Sequence, residues 1–276
     1  MMVLQLPFLQ VALVLCLVLV GIHAYLGYHV VRRGVIFVDL ALAQMASLGA
    51  SVAALAGWTS GPAWRPWACS FGFALGGALL FALFRQRRER YPLEALIGIT
   101  YAGAVALSMI LLEKSATGTE EIKEMLVGSL YTVSWGQVLE TAGLYAAVGA
   151  VHWFARRRFL LISEDAEEAR RRGMKVAPWD FLFYATFALV VTSSVRLAGV
   201  LVVFALLVLP ATAALSRPAG AGRIPFGWVF GAVGCVLGLE SSARWDWPAG
   251  PAVILSLLCL LVLVAGWTTL LGRKEG

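Results

Sequence analysis

The fold class this sequence predicts is all-α: a polytopic integral membrane bundle of about eight or nine transmembrane helices with one short surface helix. Composition is the first reason. Hydrophobic residues fill 60% of the 276 positions and charged residues only 14%. Mean hydropathy is +0.82, beyond the range of water-soluble chains. Length of run is the second reason: window after window reaches the roughly 20 apolar residues a helix needs to cross a bilayer. The third is the lack of short alternating segments, which a membrane β-barrel would show. No long linker or low-complexity stretch divides the chain, so 1–276 reads as a single domain.

Taken in order, nine apolar segments emerge: 7–31, 35–57, 67–84, 92–112, 137–155, 178–195, 199–216, 225–239 and 251–271. The first ends at Arg32 and Arg33. It lacks the basic n-region and cleavage site of a signal peptide, and reads as a retained span. The loops WTSGPAWRPW and ESSARWDWPAG carry tryptophans suited to a membrane interface. The polar loop EKSATGTEEIKE leads to an apolar piece, 125–133, too short to span and suited to a re-entrant or interfacial position. Arg196 interrupts the apolar run between the sixth and seventh segments and is the expected break there. Pro210 lies inside the seventh; it frees a carbonyl four residues earlier and bends its helix, either to line a cavity or to kink for packing. Gly72-x-x-x-Gly76 and Gly234-x-x-x-Gly238 have the spacing that lets helices approach closely, within one bundle or along a dimer seam.

The net charge of +6 is distributed by side. Arg32, Arg33, Arg85, Arg87, Arg88, Arg90, Arg156 to Arg158, Arg170 to Arg172, Lys175, Arg217, Arg223, Arg273 and Lys274 all fall on one side of this topology. Arg65, Lys114, Lys123, Arg196 and Arg244 lie on or near the other. That asymmetry is the positive-inside signature, so the charge orients the chain in its membrane lipid and does not point to nucleic acid. It places the N-terminus outside and the C-terminus in the cytoplasm. Cys16, Cys69, Cys235 and Cys259 lie in apolar segments without metal-type spacing and read as small packing residues.

The one long polar run with helical order is 162–175, ISEDAEEARRRGMK, within a loop of about 156–177. Ser163 is placed to cap it. Glu164, Asp165, Glu167 and Glu168 crowd its first turns, Arg170 to Arg172 its last, and Gly173 stops it. A helix this short is marginal alone, so it must rest on something; it reads as a docking helix on the cytoplasmic face.

Ionisable and polar residues inside an apolar segment are functional candidates, because a charge in a bilayer is costly. Asp39 lies near the start of the second segment and Glu94 opens the fourth; the helix dipole favours both positions. His23 lies about 12 Å from the end of the first segment and Gln44 about 13.5 Å into the second, a depth at which they can share a hydrogen bond or face a pathway. The substrate-pathway candidates are therefore His23, Asp39, Gln44, Glu94 and Pro210, with His23 and Asp39 as metal candidates. His29 and His152, each next to arginines, are expected at the interface; Arg196 and Glu240 lie near the outer face.

Three stretches now resemble one family. EDAEEARRRGMKV resembles the glycine-ended cytoplasmic helix of ATP-binding-cassette (ABC) importer permeases. SVRLAGVLVVFALLVLPATAALS is similar to the zinc, manganese and iron class of those permeases, in which a Gly-Val-Leu run leads to Leu-Pro-Ala-x-x-Ala. LEALIGITYAGAVAL resembles the opening of that class's fourth span, and RRGVIFVDLALAQMASLGA adds a match after the first. The resemblance implies a homodimeric permease in the cytoplasmic (inner) membrane that carries a divalent metal or metal complex. It implies an ABC ATPase subunit docked at the surface helix, with Glu164, Asp165, Glu168, Ala169 and Gly173 as coupling residues, and an extracytoplasmic metal-binding protein. It implies no covalently bound cofactor, and ATP is used by the partner. The chain has no G-x-x-x-x-G-K-[ST] phosphate loop. It departs from the class at one place. Aligned on Gly49, the class's second-span histidine falls on Gln44 and its preceding acid on Leu40, with Asp39 one position off. That leaves an oxygen-richer site, which manganese accepts more readily than zinc.

Two other function classes fit less well. A secondary transporter coupled to an ion gradient through Asp39 or Glu94 would often show inverted repeats, and none is convincing. An intramembrane enzyme would need paired acids, His-x-x-x-His or Gly-x-Ser-x-Gly, and the sequence has none of these.

Overall fold

In the computed structural model, described for residues 5–58, 61–62, 64–85, 92–112, 130–218, 220 and 222–272, helix termini follow local chemistry. Helix α1 (Pro7–Arg33) ends at Gly34, whose φ of 66° suits glycine. Helix α2 (Val38–Leu55) ends before Gly57, at φ 71°. Helices α3 (Trp64–Arg85) and α4 (Leu93–Leu112) follow, then a 3-10 turn (Leu130–Thr132).

Helix α5 (Trp135–Phe154) opens on a capping box. Ser134 N–H donates to Gln137 Oε1 at 2.9 Å and Gln137 N–H donates to Ser134 Oγ at 3.4 Å. This starts the helix two residues before the expected 137. At Ala155 the chain turns by 74° into α6 (Arg156–Glu164). The arginines expected to end a straight span therefore open a new helix. Arg156 lies 4.4 Å above Trp153 and donates to its carbonyl; Arg158 lies 4.6 Å above Trp179.

Then come α7 (Ala166–Arg171), α8 (Val176–Ala198), α9 (Val200–Leu215), α10 (Arg223–Trp245) and α11 (Ala249–Gly272). The break between α8 and α9 is at Gly199, at φ 79°, and not at Arg196, which stays in the last turn of α8. An arginine can remain helical and extend its side chain, whereas left-handed backbone ends the run. Helix α10 runs six residues beyond the expected end, to Trp245, where Asp246 takes a left-handed φ of 54°. The Glu240–Arg244 pair at 3.1 Å supports this last stretch.

Among the described residues there are eleven α-helices and no strand. Seven of them, α1, α2, α3, α4, α8, α10 and α11, are long and apolar enough to cross a membrane, and α5 with α6 makes an eighth as a bent pair. This is one or two fewer than the nine segments read from the sequence. Helix α9 has 16 residues, about 24 Å, short of the roughly 30 Å hydrocarbon core.

The helices gather into two units, neither continuous in sequence. The first comprises 1–31, 126–147 and 197–276. Its helices meet through glycines. A Cβ at Gly27 would lie 1.9 Å from the Leu207 carbonyl oxygen, one at Gly234 would lie 2.2 Å from the Leu257 side chain, and one at Gly238 would lie 2.4 Å from the Val253 Cα. Gly234-x-x-x-Gly238 is thus the seam between α10 and α11. Pro210, buried in α9, packs on α10, where Gly227 and Gly231 leave room for it.

The second unit comprises 32–125 and 148–196. Here α2 packs on α3 and α4. Gly49 lets α3 approach at Cys69 and Ser70, and Gly77 does the same for Leu42. Gly72 and Gly76 are different: a Cβ at either meets nothing within 4 Å among the described residues. The expected stripe of small residues on α3 faces α2 at Gly77 instead. The loop 113–124 and most of the expected piece 125–133 lie outside the described residues, as do Arg87, Arg88, Arg90, Arg273 and Lys274.

Candidate functional site

The polar surface run resolves into two helices. Ser163 is not its cap. It sits buried near the end of α6, where its Oγ accepts a hydrogen bond from Arg33 Nε at 2.8 Å. Asp165 is the cap of α7: its backbone is extended, and its Oδ1 accepts from Glu168 N–H at 2.8 Å. A carboxylate two positions later than expected takes over because the serine is already committed to an arginine. The far end of α7 closes as a Schellman motif. Met174 N–H donates to Ala169 O at 3.1 Å and Gly173 N–H to Arg170 O at 2.9 Å, with Gly173 at φ 76°.

Six residues of helix would not hold alone. Ala169 is fully buried in a cluster with Ile162 and Val176, against which Leu161, Met174 and Trp179 pack. This one contact anchors α7. Its other flank carries ion pairs: Glu167 with Arg170, Glu168 Oε2 with Arg171 Nε at 3.2 Å, and Glu168 Oε1 with Arg172 Nε at 2.7 Å. The side chains of Arg170, Arg171 and Arg172 are 42–70% exposed, so each pair contributes about 0.2–1 kcal/mol. Glu164 is also exposed. The result is a rigidly capped, charged knob with one apolar root.

Directly behind it lies a cluster the sequence reading did not single out. Asp180, in the second turn of α8, is 1% exposed. Its Oδ1 receives Nη1 of Arg33 at 2.9 Å and Nη1 of Arg85. Arg33 ends α1 and Arg85 ends α3, and both are buried. Arg33 also lies 3.9 Å above the Phe183 ring. One guanidinium therefore bonds α6 through Ser163 and α8 through Asp180. The sequence held one usable signal: Asp180 is an acid three residues into an apolar segment, the same kind of feature that singled out Asp39 and Glu94.

The other candidates fall as follows. Asp39 is 2% exposed in the first turn of α2, and its Oδ1 has no hydrogen-bond partner among the described residues. Gln44 is buried one turn further on in the same unit. Glu94 is exposed, and its Oε1 accepts from Ile36 N–H at 2.9 Å just ahead of α2. His23 belongs to the first unit. It is fully buried, its Nδ1 donates to Leu19 O at 2.8 Å, and Tyr145 meets it edge-on at 6.0 Å. A carbonyl can only accept, so Nδ1 carries the hydrogen of this bond. His29 and His152, expected at an interface, are buried in protein. His29 lies against Tyr25 and Tyr28. His152 stacks on Phe159 and lies 2.8 Å from Thr186 Oγ1. Among the described residues no three His, Cys, Asp or Glu side chains gather as a metal site.

Comparison with known proteins follows the same lines. The model of the ABC 3 transport family matches residues 5–268. A Haemophilus influenzae protein named "Probable iron transport system membrane protein" is 24% identical over 96% of this chain and 95% of its own length. The manganese transport system membrane protein MntC of Listeria monocytogenes is 25% identical over 91% of this chain and 87% of its own. Among solved structures, PsaBC from Streptococcus pneumoniae in complex with Fab superposes with a TM-score of 0.78 at 22% identity, covering 95% of this chain and 92% of that one.

Proposed function

This chain belongs to the ABC 3 transport family, and from that premise we propose that it imports a divalent metal ion or metal complex across the cytoplasmic membrane. It is a multi-pass membrane component of a transport system. As a homodimer it forms the pathway, a separate ABC ATPase supplies the energy, and an extracytoplasmic binding protein delivers the cargo. The arginine-rich ends of the helices lie in the cytoplasm. Relatives named for iron and for manganese transport support this cargo class.

The observation that carries the reading is α7. It is capped at both ends, anchored by Ala169 and exposed on its charged flank. A surface that must pass force to another protein needs a stiff body and a fixed root, and α7 has both. Asp165 and Gly173 set its ends, Ala169 roots it, Glu164 is exposed at the end of α6 just before it, and Glu168 is half-buried among the arginines of its charged flank. The buried polar candidates for metal contact in transit are His23 in the first unit and Asp39 and Gln44 in the second, with an imidazole and a carboxylate as the metal-binding groups.

The test is reconstitution of the chain with its ATPase and binding protein in liposomes, with uptake of manganese ions measured against ATP hydrolysed. Replacing Glu164→Lys and Glu168→Lys together should leave the bundle folded and abolish uptake driven by ATP. Unchanged uptake in that variant counts against α7 as the docking element. Uptake by the chain alone under a proton gradient would replace the ABC reading with a secondary transporter.

A further inference from the structure

We propose that the buried Arg33–Asp180–Arg85 cluster, joined to Ser163, is the positioning element that makes α7 and the spans behind it move as one body. The inference rests on the transport reading above. Ser163 lies two residues before Asp165, the cap of α7, on the same backbone. Its hydroxyl takes Arg33 Nε at 2.8 Å, and the same guanidinium gives Nη1 to Asp180 at 2.9 Å. Arg85 brings the end of α3 to the same carboxylate oxygen. The last residues of α1 and α3 thus meet α8 at one acid, and the stem of the surface helix joins them through Arg33.

Stability alone does not call for this arrangement. Among the described residues two buried cations share one buried anion, and apolar side chains of similar size often replace such a cluster without loss of stability. What ions provide is direction. The planar guanidinium of Arg33 holds two acceptors at fixed angles, which a lysine cannot. A displacement of α7 therefore draws on Ser163, and through Arg33 on the last turn of α1 and on α8. The apolar root at Ala169 resists separation, but it allows sliding, because dispersion contacts have little directionality.

The test uses the full transporter in liposomes and reads manganese ions moved per ATP hydrolysed. Ser163→Ala removes the acceptor and leaves every charge in place; the ratio should fall about tenfold, the scale of a lost hydrogen bond to a charged group. Ser163→Thr keeps the hydroxyl and should restore the ratio. Arg33→Lys keeps the charge beside Asp180 but cannot serve both partners; it should match Ser163→Ala, and the double variant should be no worse than either alone, since both cut one link. A ratio within about twofold of the parent protein for Ser163→Ala, or losses that add in the double variant, overturns the proposal. If Arg33→Lys does not assemble with its partner, Ser163→Ala and Ser163→Thr decide the matter. A parent protein that moves neither manganese nor iron ions under ATP defeats the transport reading and this inference with it, whereas a parent that transports while Ser163→Ala keeps the parent ratio defeats this inference alone.

Discussion

The same residue types, Asp, Glu and Arg, build two neighbouring regions of the second unit with opposite energetics. On α7 they are exposed, or half-exposed at Glu168. Glu167, Glu168, Arg170, Arg171 and Arg172 form several pairs, each screened by water and salt and each worth a fraction of a kcal/mol. Behind α7, one acid and two arginines are out of water, and removing the acid leaves two buried charges with no ion-pair partner among the described residues. The many visible charges can be removed one by one at little cost, while the three hidden ones cannot be broken singly without a large one. Solvent exposure, and not the number of ion pairs, decides how far each region can be altered before the fold fails.

The largest expected effect sharpens this contrast. Asp180→Asn should destabilise the chain by roughly 3–5 kcal/mol, the scale of a broken buried pair. Thermal unfolding in detergent, followed by tryptophan fluorescence, measures it. Replacing all three residues together, with Arg33→Met, Arg85→Met and Asp180→Leu, should recover most of that loss, because no charge is then left buried. A triple variant as unstable as the single one would show that packing, and not charge, sets the cost. Gly173→Ala comes next. A Cβ meets no atom within 4 Å there, so the cost is the backbone's alone at φ 76°, about 1–2 kcal/mol. It should loosen α7 locally, seen as faster amide exchange over 166–173, and leave the unfolding temperature of the bundle nearly unchanged.

The exposed region was the legible one. Its acids and arginines, its glycine stop and its need for a buried root all follow from the order of residues in 162–175. All nine apolar segments also reappear as helices, because twenty consecutive apolar residues leave a chain in lipid few alternatives. What the sequence hid was who binds whom. Ser163 looked like a cap because capping is a local property, and its partner Arg33 lies 130 residues away. Arg33 and Arg85 looked like ordinary membrane anchors, and only the packing of three helix ends turned them inward. Gly72 and Gly76 have the same spacing as Gly234 and Gly238, yet only the second pair meets a neighbour among the described residues, since spacing does not say which face of a helix is covered.

Two smaller changes test the exposed region from within. Asp165→Ala removes the cap of α7 and should cost about 1 kcal/mol of local stability, visible as faster exchange of the Glu168 amide. Asp165→Asn or Asp165→Ser, which still offer an acceptor, should restore most of it. The smallest effect belongs to Glu167→Gln. Its partner Arg170 is 42% exposed and Glu167 itself 74%, so the loss should be no more than about 0.5 kcal/mol. At 1 M salt, where the Debye length is about 3 Å, the parent and variant should be indistinguishable. The Asp180→Asn deficit should persist at the same salt, since ions in solution do not reach a side chain 1% exposed. A deficit in Glu167→Gln that equals that of Asp180→Asn and survives salt would mean that α7 is shielded from water and that the contrast between the two regions does not hold.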